Sequence, residues 1–274
     1  MSDAGQLRKM AVTLAAPVDY RLRVGADELP LNSLIGERVK ITYHGRIECI
    51  NCGRLTKKSY SQGHCYPCSQ RLASCDMCIV RPHTCHYHEG TCREPDWGDA
   101  NCMQPHVVYL ANSSGLKVGV TRRSQIPTRW IDQGAAAALP IVAASTRRIA
   151  GLLEVAIAKH VSDKTDWRRM LRGEPEATDL VAHRDELLEA VREPLERITE
   201  EFGPDAYAVE SDPVAVQISY PVTEYPIKVR SLTLDKLPEI DSVLLGIKGQ
   251  YLILEAGVMN VRRHSGYVVS LEAA

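Results

Sequence analysis

Phenylalanine is almost absent from this chain of 274 residues, which contains a single one, Phe202, and only 5% aromatic residues in total. The core must therefore depend on aliphatic side chains, tyrosine and three tryptophans. No apolar run approaches the ~20 residues of a membrane-spanning helix. The first residues, Met1 to Gly5, lack the basic and apolar regions of a signal peptide. These absences predict a cytoplasmic protein with no membrane partner.

Cysteine is confined to residues 49–102, which contain all nine. An odd number of cysteines in a reducing compartment disfavours disulfides and favours metal ligation. Cys49-x2-Cys52 is followed, after twelve residues, by Cys65-x2-Cys68, which is the spacing of a zinc ribbon. Two such pairs can complete a tetrahedral shell of four thiolates. We predict a structural zinc ion here, with an iron–sulfur centre as the alternative.

The other five cysteines predict a second structural zinc, so we expect about two zinc ions per chain. A third Cys-x2-Cys pair starts this region, and spacing alone does not determine its remaining ligands. The preferred ligands are Cys75, Cys78, Cys92 and Cys102. The alternates are Cys85, His86 and His88.

The net charge of −1 argues against strong nonspecific binding to nucleic acid, but the charges are unevenly distributed. Between Lys117 and Arg172, eleven lysines and arginines accompany four aspartates and glutamates. This stretch is therefore strongly basic, and the remainder of the chain is acidic. A basic module suits a polyanion such as RNA or DNA. The alternative is a basic module that docks on the acidic part of the same chain.

The stretch from Val107 to Glu154 predicts a β-hairpin, a helix, a third strand from Pro140 to Ser145 and a second helix. Glu154 lies in an otherwise apolar helical segment. A buried carboxylate needs a cation or a metal ion as its partner, because burying it alone is costly. The residues leave two interpretations open, a functional carboxylate or a buried ion pair with an arginine such as Arg129.

The order of these elements resembles the GIY-YIG nuclease family. Val107-Val108-Tyr109 stands in place of Gly-Ile-Tyr, and Lys117-Val118-Gly119 in place of Tyr-Ile-Gly. Arg129 and Glu154 stand where the family has its helix arginine and its metal-binding glutamate. The first motif lacks its glycine, and lysine replaces the second tyrosine. A Lys-Ile-Gly variant branch of the family often has a tryptophan after the second helix, as Trp167 stands here.

The resemblance implies a phosphodiesterase site. Tyr109 or Lys117 would help to activate water, and Arg129 would neutralise charge on the phosphoryl group. Glu154 would hold Mg²⁺ or Mn²⁺. If the lysine disables the base, the same pocket would bind phosphate without cutting. The candidate nucleic-acid contacts are Arg122, Arg123, Lys164 and Arg168.

We therefore expect a zinc-stabilised nucleic-acid-binding protein, with nuclease activity on RNA or structured DNA as the implied chemistry. The alternatives are a noncatalytic module that binds RNA or a ribonucleoprotein, and a protein-interaction scaffold.

The whole chain also resembles an uncharacterised bacterial family with a cysteine-rich first half. Three segments carry this resemblance: Gly90-Thr91-Cys92-Arg93, Gly115 to Arg122, and Gly246 to Leu252. That family has no assigned activity, so the resemblance implies no reaction.

Both ends of the chain alternate like strands, which predicts an α+β protein whose N- and C-terminal segments close into a small, OB-like β barrel. The predicted units are an N-terminal β segment (1–48), a cysteine-rich zinc-binding insert (49–105), a GIY-YIG-like αβ module (106–173), an acidic helical connector (174–204) and a C-terminal β segment (205–274). In the connector, Thr178 or Asp179 caps a helix that continues to Phe202 and that Pro194 bends or divides.

Overall fold

A computed structural model describes residues 2–273, which form two β-sheets with helices. The strands are β1 (Gly5–Thr13), β2 (Asp19–Val24), β3 (Asp27–Pro30), β4 (Arg38–Glu48), β5 (Leu55–Thr56), β6 (His106–Asn112), β7 (Leu116–Arg122), β8 (Ala137–Ala144), β9 (Tyr207–Val209), β10 (Val216–Gln217), β11 (Ser231–Leu232), β12 (Glu239–Lys248), β13 (Tyr251–Leu254), β14 (Gly257–Asn260) and β15 (Tyr267–Ala273). The helices are α1 (Tyr66–Arg71), α2 (Pro95–Asn101), α3 (Thr128–Asp132), α4 (Arg147–Ile157), α5 (Trp167–Met170), α6 (Leu180–Ala190) and α7 (Arg192–Phe202).

The larger sheet has the order β11-β14-β13-β12-β4-β15-β1-β2-β3, with β5 paired to β4. Strands from the two ends of the chain alternate at its centre, so both ends share one sheet, as predicted. The predicted closed barrel is wrong, because β3 and β11 end the sheet without pairing to each other. The apolar face of the sheet shares its core with Val107, Tyr109 and Trp130 from the middle of the chain. The sheet thus buries this face against another layer and not against itself.

The smaller sheet has the order β10-β8-β6-β7, with β9 also paired to β8. Every residue of its central strand, β6, is buried. Val107 and Tyr109 join the core of the larger sheet, whereas Val108 and Leu110 join a second core with α4, α6 and α7. Alternate residues of a strand point to opposite faces. The smaller sheet is therefore the middle layer between the larger sheet and the helices.

The predicted order of hairpin, helix, strand and helix is confirmed by β6, β7, α3, β8 and α4. The connector contains two helices that meet at Val191, because Pro194 lies in the first turn of α7, where a missing N–H is tolerated. The Asp179 side chain caps α6 by accepting hydrogen bonds from the backbone amides of Val181 and Ala182.

The cysteine-rich segment lies between β4 and β6 and packs on α4. A Cβ atom built on Gly151 of α4 would lie 2.2 Å from the backbone nitrogen of His83. Only glycine permits this approach of helix to loop. Within residues 2–273, no helix has both the length and the apolar character that a membrane span requires.

Candidate metal centre and charged site

The four-cysteine cluster consists of Cys49, Cys52, Cys65 and Cys68, whose sulfur atoms all lie within 4.8 Å of one another. The Sγ atoms of Cys52 and Cys65 are 3.7 Å apart. Cys52 is exposed and the other three are buried. The predicted convergence of these four residues is confirmed. Four thiolates in this arrangement could hold a structural zinc ion with no open coordination position.

Short local turns bring the four-cysteine cluster together. Gly53 follows the first pair with φ +71°, and its amide donates to the carbonyl of Cys49. Cys65 immediately precedes α1, which carries Cys68 one turn later. Burial opposes ionisation of the Cys49 thiol, but the nearby backbone amides of Cys52, Cys65 and Asn51 lower its pKa to about 6. The backbone thus favours the thiolate that a metal ion binds.

The remaining cysteines do not gather as the Cys75-x2-Cys78 spacing suggests. Cys75 lies on the side of the four-cysteine cluster, beside Ser61. Cys78 is turned away because Asp76 Oδ1 accepts a hydrogen bond from its backbone amide at 3.1 Å, which caps a short turn. Cys78 instead belongs to a group with Asp76 and His86, whose ligand atoms lie within 4.8 Å of one another. Cys75 therefore faces the four-cysteine cluster, whereas Cys78 faces Asp76 and His86.

The other predicted or alternate ligands surround one small cavity next to Cys78. Its lining includes Cys85, His86, Cys92 and Cys102. His88 is exposed and lies 3.6 Å from the carboxylate of Glu89. Of the alternates, Cys85 and His86 face the cavity, and His88 faces solvent.

The charged cluster is formed by Tyr109 on β6, Lys117 on β7, Arg129 on α3 and Glu154 on α4. The charges of Arg129 and Glu154 act on the pKa of both Tyr109 and Lys117. The four side chains, spread over some forty-five positions, therefore lie close enough for their charges to interact. The chain brings them together by pairing β6 with β7 and packing α3 and α4 on opposite faces of these strands.

Tyr109 is fully buried, and its hydroxyl donates to Gln133 Oε1 at 2.7 Å beside Arg129. Its ring packs edge-on against Trp130. Directly opposite on β7 lies Gly119, where a Cβ atom would come within 2.7 Å of the tyrosine hydroxyl. The glycine of the second motif thus makes room for the tyrosine of the first. Burial raises the pKa of Tyr109 to about 12, so the hydroxyl stays protonated at neutral pH.

Lys117 is only 3% exposed. Within residues 2–273, its ammonium group makes no hydrogen bond and no ion pair within 4.0 Å. Burial, followed by the charge of Arg129, lowers the pKa of Lys117 to about 8, against the opposing effect of Glu154 and Asp163. Its ammonium nitrogen is not fully enclosed and keeps contact with solvent, but burial of the side chain still costs free energy of folding. An anion bound beside this lysine would offset that cost.

Glu154 is half-buried on α4 among apolar neighbours. Burial and the carboxylate of Asp163 raise its pKa to about 7, although Lys117 and Arg129 oppose this. None of the ion pairs within 4.0 Å in the described chain includes Glu154. The alternative expected from the sequence, a buried ion pair with an arginine such as Arg129, is therefore not formed within residues 2–273.

A network from the C-terminal segment positions α3. Asp132 at the end of α3 accepts from Gln250 Nε2 at 2.8 Å and from Lys9 Nζ at 2.6 Å. Gln250 Oε1 also accepts the backbone amide of Met10 at 2.8 Å, where β1 bulges. Gly249 has φ +62° and leaves space for the carbonyl of Asp132. The segment from Gly246 to Leu252 thus fixes the helix that carries Arg129.

Sequence reasoning missed Asp163 and Arg262. Asp163 follows α4 and acts on Glu154 and Lys117. Arg262 comes from the C-terminal segment, and burial together with the nearby Arg129 lowers its pKa. No local pattern marks either residue. Only the structure places Asp163 beside β7, through the strand bridge between Lys117 and Ser162.

The four predicted nucleic-acid contacts differ in their surroundings. Arg122 donates to Asn101, and Arg123 pairs with Glu210 at 2.6 Å. Lys164 is exposed. The Arg168 guanidinium lies 4.3 Å from the ring centroid of Trp167, which in turn stacks on Tyr251.

The comparisons with known proteins identify a family whose function is unknown. No curated protein and no solved structure matches the chain. A family described as "Protein of unknown function (DUF2797)" matches residues 36–269. The predicted membership of a family without an assigned activity is confirmed. Because the match covers most of its length, this chain belongs to the DUF2797 family.

Proposed function

We propose that the charged cluster binds a phosphodiester of RNA or DNA and cleaves it with the help of one divalent cation. The observation that carries the proposal is the largely buried Lys117, which forms no ion pair within residues 2–273 and whose pKa responds to Arg129 and Glu154. Two cations and a carboxylate are held near one another without pairing directly. A phosphate group supplies the anion that the cations need, and a metal ion supplies the positive charge that Glu154 needs.

The residues present fit a hard divalent cation such as Mg²⁺ or Mn²⁺. Glu154 and Asp163 offer carboxylate oxygens, which these ions prefer. Their mutual repulsion contributes to the raised pKa of Glu154, and a cation bound there would relieve it. When bound, such an ion polarises the phosphoryl oxygen and lowers the pKa of bound water.

The chain's own side chains have separate roles in this proposal. Arg129 neutralises charge on the transferring phosphoryl group. Tyr109 is fully buried and acts through other residues: its hydroxyl donates to Gln133 and lies beside Arg129, which it helps to position. Lys117, with a pKa of about 8, binds phosphate as a cation and in its neutral form can accept a proton from water.

The nearby surface supports a polyanion as substrate. Trp167 stacks on Tyr251 with ring planes 3° apart, and Arg168 lies over the tryptophan. Aromatic rings next to arginines are typical of surfaces that contact bases and phosphates of single strands. The second candidate function, binding without cleavage, is favoured by the same surface.

The test is cleavage of labelled single-stranded and structured RNA and DNA with Mg²⁺ or Mn²⁺. Glu154→Gln should lower the cleavage rate by at least about 100-fold while the melting temperature does not fall. Glu196→Gln, an exposed carboxylate on α7, is the matched control and should cleave like the wild type. Binding without cleavage by the wild type in either metal would favour the noncatalytic function. No salt-sensitive binding to any of these polymers would refute both.

A further inference from the structure

We propose that the cysteine-rich segment holds a second zinc ion, bound by Cys78, Cys85, Cys102 and His86 where the segment meets α4. This set replaces the predicted ligands Cys75, Cys78, Cys92 and Cys102 with four residues that all line one cavity.

The cavity is small. Its volume is about 10 Å³, and its lining includes all four proposed ligands. A space of this size holds roughly one water-sized particle. Cys85 and Cys102 are both buried and both line this cavity. A ring nitrogen of His86 lies within 4.8 Å of Cys78 Sγ. Three thiolates and one imidazole form a Cys₃His shell, which is common at structural zinc sites.

The ring of His86 is oriented by Thr91, which lies outside the cavity. Its Nδ1 atom lies 2.6 Å from the hydroxyl of Thr91. Its Nε2 atom lies 3.7 Å from Asp76 Oδ2, too far for a hydrogen bond. Metal-binding histidines are usually oriented by such a bond to their second nitrogen. We therefore assign Nε2 to the metal.

Asp76 is close enough to compete as a ligand, but its oxygens are occupied. Its Oδ2 atom accepts from Arg93 Nε at 2.6 Å, and its Oδ1 atom accepts the amide of Cys78 at 3.1 Å. This carboxylate therefore supports the turn that carries Cys78.

Arg147 balances the charge of the site. Three thiolates around a divalent ion leave one negative charge, and the Arg147 guanidinium is close enough to act on Cys78, Cys85 and Cys102. Its Nη2 atom donates to the carbonyl of Ile79 at 2.6 Å, and its backbone amide donates to the carbonyl of Cys102 at 2.9 Å. Arg147 is also the first residue of α4. The second zinc would thus join the cysteine-rich segment to the start of this helix.

Two cysteines are left outside the shell. Cys75 lies beside Ser61, on the side of the four-cysteine cluster. Cys92 lines the cavity, but its thiol lies 3.5 Å from the carbonyl of Glu94, to which it donates. Cys92 is therefore the rival of His86 for the fourth position.

The experiment is the zinc content of the full chain, purified without chelators, by elemental analysis and native mass spectrometry. The wild type should contain about two zinc ions. The variants Cys78→Ser, Cys85→Ser and Cys102→Ser should each contain about one. The matched controls Cys75→Ser and Cys92→Ser should keep about two. Only one zinc in the wild type, or loss of an ion from either control, would overturn this ligand set.

X-ray absorption at the zinc edge tests the same assignment even if a serine variant does not fold. The two proposed shells of the wild type together average about 3.5 sulfur and 0.5 nitrogen ligands per zinc. An average of about four sulfurs per zinc would mean that a fourth cysteine, and not His86, completes the second shell. This result would refute the Cys₃His shell.

Discussion

The four-cysteine cluster and the charged cluster use their reactive groups in opposite ways. In the four-cysteine cluster, all four sulfur atoms lie within 4.8 Å of one another and point at one position. In the charged cluster, Arg129 and Glu154 act on the pKa of Lys117, but the three side chains form no ion pair with one another. One site is complete once a metal ion is bound. The other is left with unmatched charge, which is typical of sites that bind a ligand.

The two clusters also differ in how far along the chain their parts lie. Twenty residues, 49–68, contain the whole four-cysteine cluster. The charged cluster needs β6, β7, α3 and α4, and α3 is held by Gln250 from the other end of the chain. A local site can stabilise its own segment, whereas a dispersed site depends on a scaffold that is already folded. Unmatched charge can be tolerated only where such a scaffold supplies the stability.

The largest effect is expected from breaking the four-cysteine cluster. Cys65→Ser should lose its zinc and lower the free energy of unfolding by several kcal/mol, since structural zinc contributes about 10–16 kcal/mol in zinc-finger peptides. Thermal unfolding with parallel zinc analysis measures this. Cys75→Ser is the control and should melt close to the wild type. A Cys65→Ser protein as stable as the wild type would mean that this cluster is not structural.

A gain in stability is expected from a change in the charged cluster. Lys117→Met should raise the free energy of unfolding by roughly 2–3 kcal/mol at pH 7. The pKa of Lys117 is lowered to about 8 in the folded state, so the unfolded chain binds more protons between pH 8 and the ordinary lysine pKa of 10.5. The cost of charging Lys117 is therefore fully present below pH 8 and fades as the pH rises toward 10.5.

The measurement is urea denaturation of wild type and Lys117→Met at pH 7 and pH 9.5. The gain in stability should be smaller at the higher pH. Lys159→Met, at an exposed lysine just after α4, should change little at either pH. A loss of stability in Lys117→Met at pH 7 would show that this lysine already has a partner.

The smallest effect is expected at Arg123, a surface residue that already has a partner. Its pair with Glu210 at 2.6 Å is largely exposed, and exposed pairs contribute about 0–1 kcal/mol. Arg123→Ala should change stability by less than about 0.5 kcal/mol and leave oligonucleotide binding nearly unchanged. Filter binding at several salt concentrations measures this. A large loss of binding would instead indicate that the polyanion binds on the side of the protein near β9.

Local patterns predicted the parts of this molecule that local forces form. The four-cysteine cluster, the β6–β7 hairpin and the break before Pro194 each follow from residues a few positions apart. The open edge of the larger sheet could not be predicted, since it depends on where a distant layer packs. The same holds for Asp163 and Arg262 in the charged cluster and for the separation of Cys75 from Cys78. Asp76 capping the turn at Cys78 overrides the ligand spacing there.

The most direct measurement of the central claim is the melting temperature of wild type and Lys117→Met with and without a short RNA or DNA oligonucleotide, in the absence of divalent cations so that nothing is cut. The account predicts that Lys117→Met melts higher than the wild type alone but gains little from the oligonucleotide. The wild type should gain about 2.7 kcal/mol at a ligand concentration of 100 Kd. Two results would contradict the claim that Lys117 binds phosphate at this site. One is an equal gain from the oligonucleotide in both proteins, and the other is a Lys117→Met protein that melts below the wild type without oligonucleotide.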